Sequence, residues 1–414
     1  MKLVYVLLDG VGDRPDEVLN WTTPLEAAHT PNLDLLARQS VCGRVQTVEK
    51  GIAPESDIAV FSMLGYNFTS GYIGRGAVEA IGAGLPFEDG DLALRGNFAT
   101  VSKSGDIVDR RAGRDLTTQE ASELVAYLNA EIDISREARV TIKNTIGHRC
   151  SVVLSSSPKN LSSNIGNTDP AYLRVKGIGV ALENVPSMTI QESKPIDNEP
   201  ETVRSAQLVN KLSERTRELL QDHAVNIKRV EKGKRPANAI LLRDASDKTV
   251  KLEGFPEKFR LRAGAIVDMP VEIGIARMAG IQPFDSFPGL ASKADQVISL
   301  LQTFDAVYVH IKGPDEPGHD GDPVLKKRII EDIDREFFSQ LVKLDLSKTL
   351  IVVSADHSTP CQLRAHSSDP VPVMFSRSGL SDNTARFTES EALKGSIGLI
   401  SGVEVLPTAI KFLI

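Results

Sequence analysis

Cysteine is scarce in this chain of 414 residues: Cys42, Cys150 and Cys361 are the whole supply. They are odd in number, far apart and form no CxxC pair, which excludes a disulfide framework and a thiolate zinc site. Long apolar runs are missing too. None reaches the roughly 20 residues that a bilayer-spanning helix needs. The run at residues 3–8 ends at Asp9, too early for a secretory signal. A cytoplasmic protein with no membrane partner is the expectation. There is no excess of positive charge, and a net charge of −7 argues against nucleic acid as the main partner. No internal repeat or low-complexity tract is evident. The length suggests two or three domains rather than one.

What positive charge there is clusters. Arg110, Arg111 and Arg114 form a tight group. A second group, Lys228, Arg229, Lys232, Lys234 and Arg235, reads as a solvated loop. Histidine is also sparse, at seven residues, yet His319, His357 and His366 fall close together, each near an aspartate.

Residues 3–8, 306–311, 349–355 and 371–375 are short, nearly unbroken Val/Ile-rich runs, the pattern of parallel strands covered on both faces. Residues 293–301 and 325–344 have helical periodicity, so strands and helices alternate, which predicts an open, mostly parallel α/β sheet. Asp9 directly follows the first of these strands, Lys312 and Asp315 the second, and Asp356 and His357 the third. Sites in such sheets form beyond the carboxyl ends of the strands, so residues from opposite ends of the chain can converge. The middle of the chain reads differently. It has helices at 117–132, with Thr117 or Thr118 as N-cap, and near 205–222, and strands at 138–143, 150–154 and 238–242. This predicts a smaller α+β domain inserted into the sheet domain, with the core at 1–108 and 256–414 and the insert at 109–255.

Ser56 precedes a helical run at 58–64 and by itself reads as an N-capping serine. Its alternative role is a nucleophile whose acquired phosphoryl group rests on the helix N-terminus. Asp315-x3-His319, interrupted by Pro317 and Gly318, reads as a loop rather than a helix face. Each aspartate–histidine segment alone is compatible with a structural role. Their joint occurrence after strands points to a metal site, and mixed carboxylate and imidazole donors suit Mn²⁺, Zn²⁺, Co²⁺ or Mg²⁺.

With these motifs the chain resembles the alkaline phosphatase superfamily, and within it the archaeal-type 2,3-bisphosphoglycerate-independent phosphoglycerate mutases. The resemblance rests on Asp9-Gly10, the Thr30-Pro31-Asn32-Leu33-Asp34 segment, the Ser56 segment, Asp315-x3-His319, Asp356-His357-Ser358-Thr359-Pro360 and His366. It extends to Tyr72-Ile73-Gly74-Arg75-Gly76, Arg95-Gly96-Asn97, Asp109-Arg110-Arg111, Arg114, His148-Arg149, Thr168-Asp169-Pro170 and Leu241-Leu242-Arg243. Three positions depart from the pattern. Glu55 stands where a small residue usually precedes the nucleophile, Ala355 where Gly is common, and Pro317 where a small residue is usual.

The resemblance implies an alkaline-phosphatase-like α/β fold and interconversion of 3-phosphoglycerate and 2-phosphoglycerate through a phosphoserine at Ser56, in glycolysis and gluconeogenesis. It implies two divalent ions, Mn²⁺ first among them, and no 2,3-bisphosphoglycerate. Asp315, His319 and His366 would bind one ion; Asp9, Asp356 and His357 the other, with Ser56 as a further ligand. Lys312 would neutralise charge on the moving phosphoryl group. Arg110, Arg111, Arg114 and Arg243 would grip phosphate and carboxylate. Asp109 and Asp169 would act as general base or orient hydroxyls, with His148 beside them. Closure of the insert would keep water from the phosphoserine. The alternatives are a metal-dependent phosphomonoesterase or another phosphotransferase on the same site, and a non-catalytic metal-stabilised scaffold. A homo-oligomer stays open.

Overall fold

The computed structural model describes residues 1–51, 54, 56–67, 74–158, 160–175, 178–182, 185, 188–249 and 251–413; the side chains of Ser56, 174, 175 and 178–181 are outside that description. The chain folds as two compact units, one made of Met1–Ser70, Leu252–Asp268 and Ile275–Ile414, the other of Gly71–Lys251 and Met269–Gly274.

An eight-stranded sheet forms the first unit. Its strands lie in the order Gln282–Asp285, Ala263–Val267, Ala306–Ile311, Lys2–Leu8, Thr349–Ser354, Val371–Ser376, Ser40–Gln46, Gly398–Ser401. The first five are mutually parallel, so the expected α/β architecture is present. Strand Val371–Ser376 runs antiparallel to both neighbours, contrary to its reading as a parallel strand. A strand buried on both faces is apolar throughout whichever way it runs, so its composition carries no direction. The central strands Ala306–Ile311 and Thr349–Ser354 are buried at every position, His310 included.

Lys2–Leu8 pairs with Ala306–Ile311 on one side and Thr349–Ser354 on the other. The three carboxyl ends therefore lie side by side, and the backbone N–H of Asp9 donates to Ile311 O at 2.9 Å.

The second unit is built on a five-stranded sheet. Ile107–Asp109, Leu92–Val101, Arg149–Ser156 and Ala138–Asn144 pair in that order, and Ala239–Ser246 joins Leu92–Val101. Leu92–Val101 pairs with three strands of this sheet, all antiparallel. The expected boundary at 108/109 therefore falls inside the second unit, which begins at Gly71. The boundary expected at 255/256 lies a few residues beyond Lys251. Helix Thr118–Glu131 starts with the capping box that Thr117 and Glu120 announce. Its apolar face (Ala121, Leu124, Val125, Leu128) packs with Leu208, Val209 and Leu212 of helix Pro200–Gln221 into one core over the sheet.

The basic stretch at 228–235 is not a solvated loop throughout. Arg229 sits in helix Ala224–Glu231 and is 1% exposed. It donates to Arg235 O at 2.8 Å, Ala112 O at 3.1 Å and Glu120 Oε2 at 2.8 Å. Five fixed donors let a guanidinium be buried where a lysine would be left short of partners. Among the described residues no helix is long and apolar enough to cross a membrane.

Candidate metal centre and anion cluster

Asp9, Lys312, Asp356 and His357 converge at the adjacent strand ends of the first unit. Lys312 Nζ lies 2.8 Å from Asp9 Oδ2. Asp356 Oδ1 accepts from the N–H groups of Gly10 at 3.1 Å and His357 at 3.0 Å. Its other oxygen, Oδ2, lies 3.3 Å from His357 Nε2, which is also 3.5 Å from Asp9 Oδ1. Gly10 has a positive φ of 62°, and a Cβ there would meet Thr359 Oγ1 at 2.6 Å and Asp315 Oδ1 at 2.7 Å. The glycine thus serves both the turn and the close approach of the ligands.

Asp315 and His319 belong to a short helix, Asp315–Asp320, and not to the expected loop. First-turn N–H groups have no partner inside a helix, so Pro317 costs nothing there. Gly318 admits the backbone of Thr359, whose carbonyl would lie 2.5 Å from a Cβ at that position. The helical spacing puts Asp315 and His319 on one face. Both His319 Nε2 and His366 Nε2 lie 3.5 Å from Asp315 Oδ1. Thr359 Oγ1 donates to the same oxygen at 2.7 Å.

The fit to cations can be tested on the second nitrogen of each ring. His319 Nδ1 meets Arg364 O at 3.1 Å, His366 Nδ1 meets Pro54 O at 2.8 Å, and His357 Nδ1 meets Thr359 Oγ1 at 3.1 Å. Each ring is anchored through Nδ1 by an oxygen and presents Nε2 to carboxylates, the arrangement that orients metal-bound imidazoles. Asp9 Oδ1 and Asp356 Oδ2 are buried, and the geometry gives neither a hydrogen-bond partner among the described residues. Among the described residues, donor atoms within 4.8 Å of one another fall into three groups: Asp315, His319 and His366; Asp9, Asp315 and His357; Asp9, His310 and Asp356. The first is the expected ligand trio; the second shows that the two expected sets are contiguous. The residues fit divalent cations.

Electrostatics agree. Burial, then the neighbouring Asp356, pushes the Asp9 carboxyl up to about 7. Burial draws His357 down to about 4. Burial also works against His366, but its bond to Asp315 raises it to about 9.

Ser56 is the first residue of helix Ser56–Met63, close to the N-cap position expected. Its side chain, together with Glu55 and Tyr72, lies outside the described residues. His310 was not among the residues the sequence singled out. The available signal was a lone polar side chain in an apolar strand, two residues before Lys312 and so on the same face of the strand.

The second unit gathers arginines. Arg110 grips the fully buried Asp169 with both arms, Nε to Oδ1 at 3.0 Å and Nη2 to Oδ2 at 2.6 Å. Arg243, 3% exposed, reaches Asp169 at 3.4 Å and Asp244 at 3.5 Å. Arg95 bridges Asp244 at 3.1 Å and Glu79 at 3.0 Å, and Arg75 joins Glu79 at 3.1 Å. The Tyr172 ring lies under Arg243 at 4.4 Å and Arg110 at 5.3 Å. Arg149 is held below its ordinary value by burial and then by Arg95. Arg243 is lowered by the same two causes. Burial, followed by Arg149, Arg243 and Arg114, lowers His148 to about 4, so it is neutral at pH 7.

Guanidiniums Arg75, Arg95, Arg110, Arg149 and Arg243 thus outnumber the carboxylates Glu79, Asp169 and Asp244 in a largely buried space. Unbalanced buried positive charge is what an anionic ligand would neutralise. Of the expected residues, Arg110, Arg243, Asp169 and His148 are in this cluster. Asp109 pairs with Arg235 at 2.7 Å and accepts from the Arg111 N–H at 2.7 Å. Arg114 is exposed, at a positive φ of 58°. Arg75, Arg95 and Arg149 lie in the motifs that carry the resemblance.

Residues 37–226 match the family described as 2,3-bisphosphoglycerate-independent phosphoglycerate mutase. The chain is 42% identical over 429 residues to the enzyme of that name from Aeropyrum pernix, covering 100% of both chains. It is 35% identical to the one from Pyrococcus abyssi, covering 98% of this chain and 96% of the other. Among solved structures, the cofactor-independent phosphoglycerate mutase of Thermoplasma acidophilum superposes with a TM-score of 0.67 at 31% identity, covering 100% of both. A Pyrococcus horikoshii protein superposes with a TM-score of 0.81 at 29% identity, covering 100% of this chain and 97% of that one.

Proposed function

The chain belongs to the 2,3-bisphosphoglycerate-independent phosphoglycerate mutases, and from that membership we propose that it interconverts 3-phosphoglycerate and 2-phosphoglycerate. The observation that carries this reading at the chemical centre is the set of anchored histidines, His319, His357 and His366, whose Nε2 atoms face Asp315, Asp9 and Asp356. Asp315, His319 and His366 would hold one divalent ion, and Asp9, Asp356 and His357 another, with Ser56 Oγ as a further ligand. A pair of such ions supplies charge stabilisation for the attacking and leaving oxygens of an in-line displacement and lowers the pKa of a bound hydroxyl. Mn²⁺ suits this mixed donor set.

Ser56 Oγ gives up its proton and attacks phosphorus, the bond from phosphorus to the substrate O3 breaks, and O3 takes a proton. The glycerate then turns, its O2 hydroxyl passes its proton to a nearby base and attacks phosphorus, the Oγ–P bond breaks, and Ser56 Oγ takes a proton back. Lys312, held against Asp9, offsets charge on the moving group. Arg110 and Arg243 grip the anionic ends of the substrate, and Arg75, Arg95 and Arg149 extend that positive field. Asp169 accepts from both gripping arginines and has no exposed surface. Its part is to hold them in place rather than to remove a proton. Neutral His148 and the partly exposed Asp109 are better placed to meet the substrate hydroxyls. The reaction serves glycolysis and gluconeogenesis in the cytoplasm.

The decisive experiment supplies 3-phosphoglycerate and Mn²⁺ without 2,3-bisphosphoglycerate and follows both 2-phosphoglycerate and free phosphate. The mutase forms 2-phosphoglycerate, and Ser56→Ala abolishes it while leaving metal binding largely intact. Phosphate as the main product, or substantial mutase activity in Ser56→Ala, sinks the reading.

A further inference from the structure

We propose that His310 is a ligand of the ion held by Asp9, Asp356 and His357, giving that ion two imidazole nitrogens and two carboxylate oxygens beside Ser56 Oγ. This rests on the two-metal reading above and adds a residue to it.

His310 lies on strand Ala306–Ile311, opposite Leu7, and is 0% exposed. Its Nε2 is 3.5 Å from Asp356 Oδ2 and 4.0 Å from Asp9 Oδ1. His357 Nε2 addresses the same two oxygens at 3.3 and 3.5 Å. Asp9, His310 and Asp356 offer donor atoms that all lie within 4.8 Å of one another.

The spacing suits ligands of one ion. Donors about 2.1 Å from a common ion stand roughly 3.4 Å apart in a tetrahedron and at most about 4.2 Å apart in any geometry. The four nitrogen–oxygen spacings, 3.3–4.0 Å, fall in that interval.

The topology supplies the convergence. Asp9, His310 and Asp356 sit at or just beyond the carboxyl ends of three adjacent parallel strands. Side chains from those strands reach one point without any loop having to place them. The consequence is chemical: a site with two imidazole donors should prefer Mn²⁺, Co²⁺ or Zn²⁺ to Mg²⁺, which favours an all-oxygen octahedron.

The full chain, stripped of metal and reloaded with Mn²⁺, is examined by pulsed EPR with and without ¹⁵N-histidine, beside His310→Gln. The expected wild-type spectrum contains a directly bound histidine nitrogen beyond those of His319, His357 and His366. In His310→Gln that coupling disappears, Mn²⁺ binds one of its two sites at least about 10-fold more weakly, and the other site is unchanged. An unchanged nitrogen count and affinity in a folded His310→Gln overturns the proposal. Should that variant fail to fold, the wild-type spectrum decides: nitrogens from His319, His357 and His366 alone overturn it. A wild-type chain that binds fewer than two Mn²⁺ overturns the two-metal reading itself, whereas two ions without the extra nitrogen overturn His310 only.

Discussion

Replacing Arg243 with methionine separates substrate grip from structural support. The side chain is buried, stacked on Tyr172 at 4.4 Å and paired with Asp169 and Asp244. Breaking a buried ion pair ordinarily costs about 3–5 kcal/mol because the remaining charge is stranded. Here neither acid is stranded. Asp169 keeps both bonds from Arg110, at 3.0 and 2.6 Å, and Asp244 keeps Arg95 at 3.1 Å. Removing Arg243 also relieves its repulsion with Arg95, one of the causes that lowers it. The stability cost should therefore be no more than about 1–2 kcal/mol, mostly from lost packing and hydrogen bonds. For the substrate the balance is the reverse. A charge-assisted hydrogen bond to an anion contributes about 1.5–3 kcal/mol, so kcat/KM for 3-phosphoglycerate should fall about 10- to 100-fold. Steady-state kinetics alongside thermal or urea unfolding tests both halves. A kcat/KM within twofold of wild type would refute the assignment of the cluster to substrate. A stability loss above about 4 kcal/mol would refute the surplus of positive charge.

Three further outcomes follow from the structure. Arg229→Met, which strips five acceptors of a buried guanidinium, should destabilise the second unit by about 3–5 kcal/mol in urea unfolding; a loss below about 1 kcal/mol would show those bonds to be dispensable. Burial raises the Glu389 carboxyl to about 7, above its unfolded value of about 4.3. The folded state thus holds the proton more tightly, and its contribution to stability is complete below about 4.3 and lost as pH rises through 7. Residual solvent contact limits that loss to about 1–2 kcal/mol; Glu389→Gln should flatten the melting profile between about pH 5 and 8, and a parallel profile in the variant would disprove the effect. Chelation with EDTA should abolish turnover and readdition of Mn²⁺ restore it; full activity in a demonstrably metal-free chain would remove the metals from the reaction.

The strand-end logic was legible because it is local: an apolar run followed at once by Asp9, Lys312 or Asp356 states both the element and the place where it ends. Strand direction was not, since the fully buried Val371–Ser376 looks the same either way round. The Asp315–Asp320 helix hid behind Pro317 and Gly318, which deter helix only where an N–H or a side chain is needed. His310 hid for the opposite reason, as a polar residue in a strand whose every neighbour says core. The arginine cluster draws Arg75, Arg95, Arg149 and Arg243 from separate elements, and no spacing in a sequence records that meeting. The boundary expected at residue 109 falls inside the second compact unit, because strand Leu92–Val101 pairs with partners more than forty residues further along the chain.

One group outside the ligand set has a consequence for how such a centre can change. Lys326 is fully buried, and its ammonium donates to Gly12 O at 3.1 Å, Thr359 O at 2.9 Å and Asp13 Oδ2 at 2.8 Å. It ties the segment after Asp9 to the segment after His357 through main-chain oxygens, not through any donor to the cations. Part of the fastening therefore comes from a group that is not itself a ligand. Asp356 is fastening and ligand at once, because its Oδ1 takes the Gly10 N–H across the same two segments. A substitution at Asp356 would change the ion's donors and loosen the frame together, while Lys326 would go on holding the two segments.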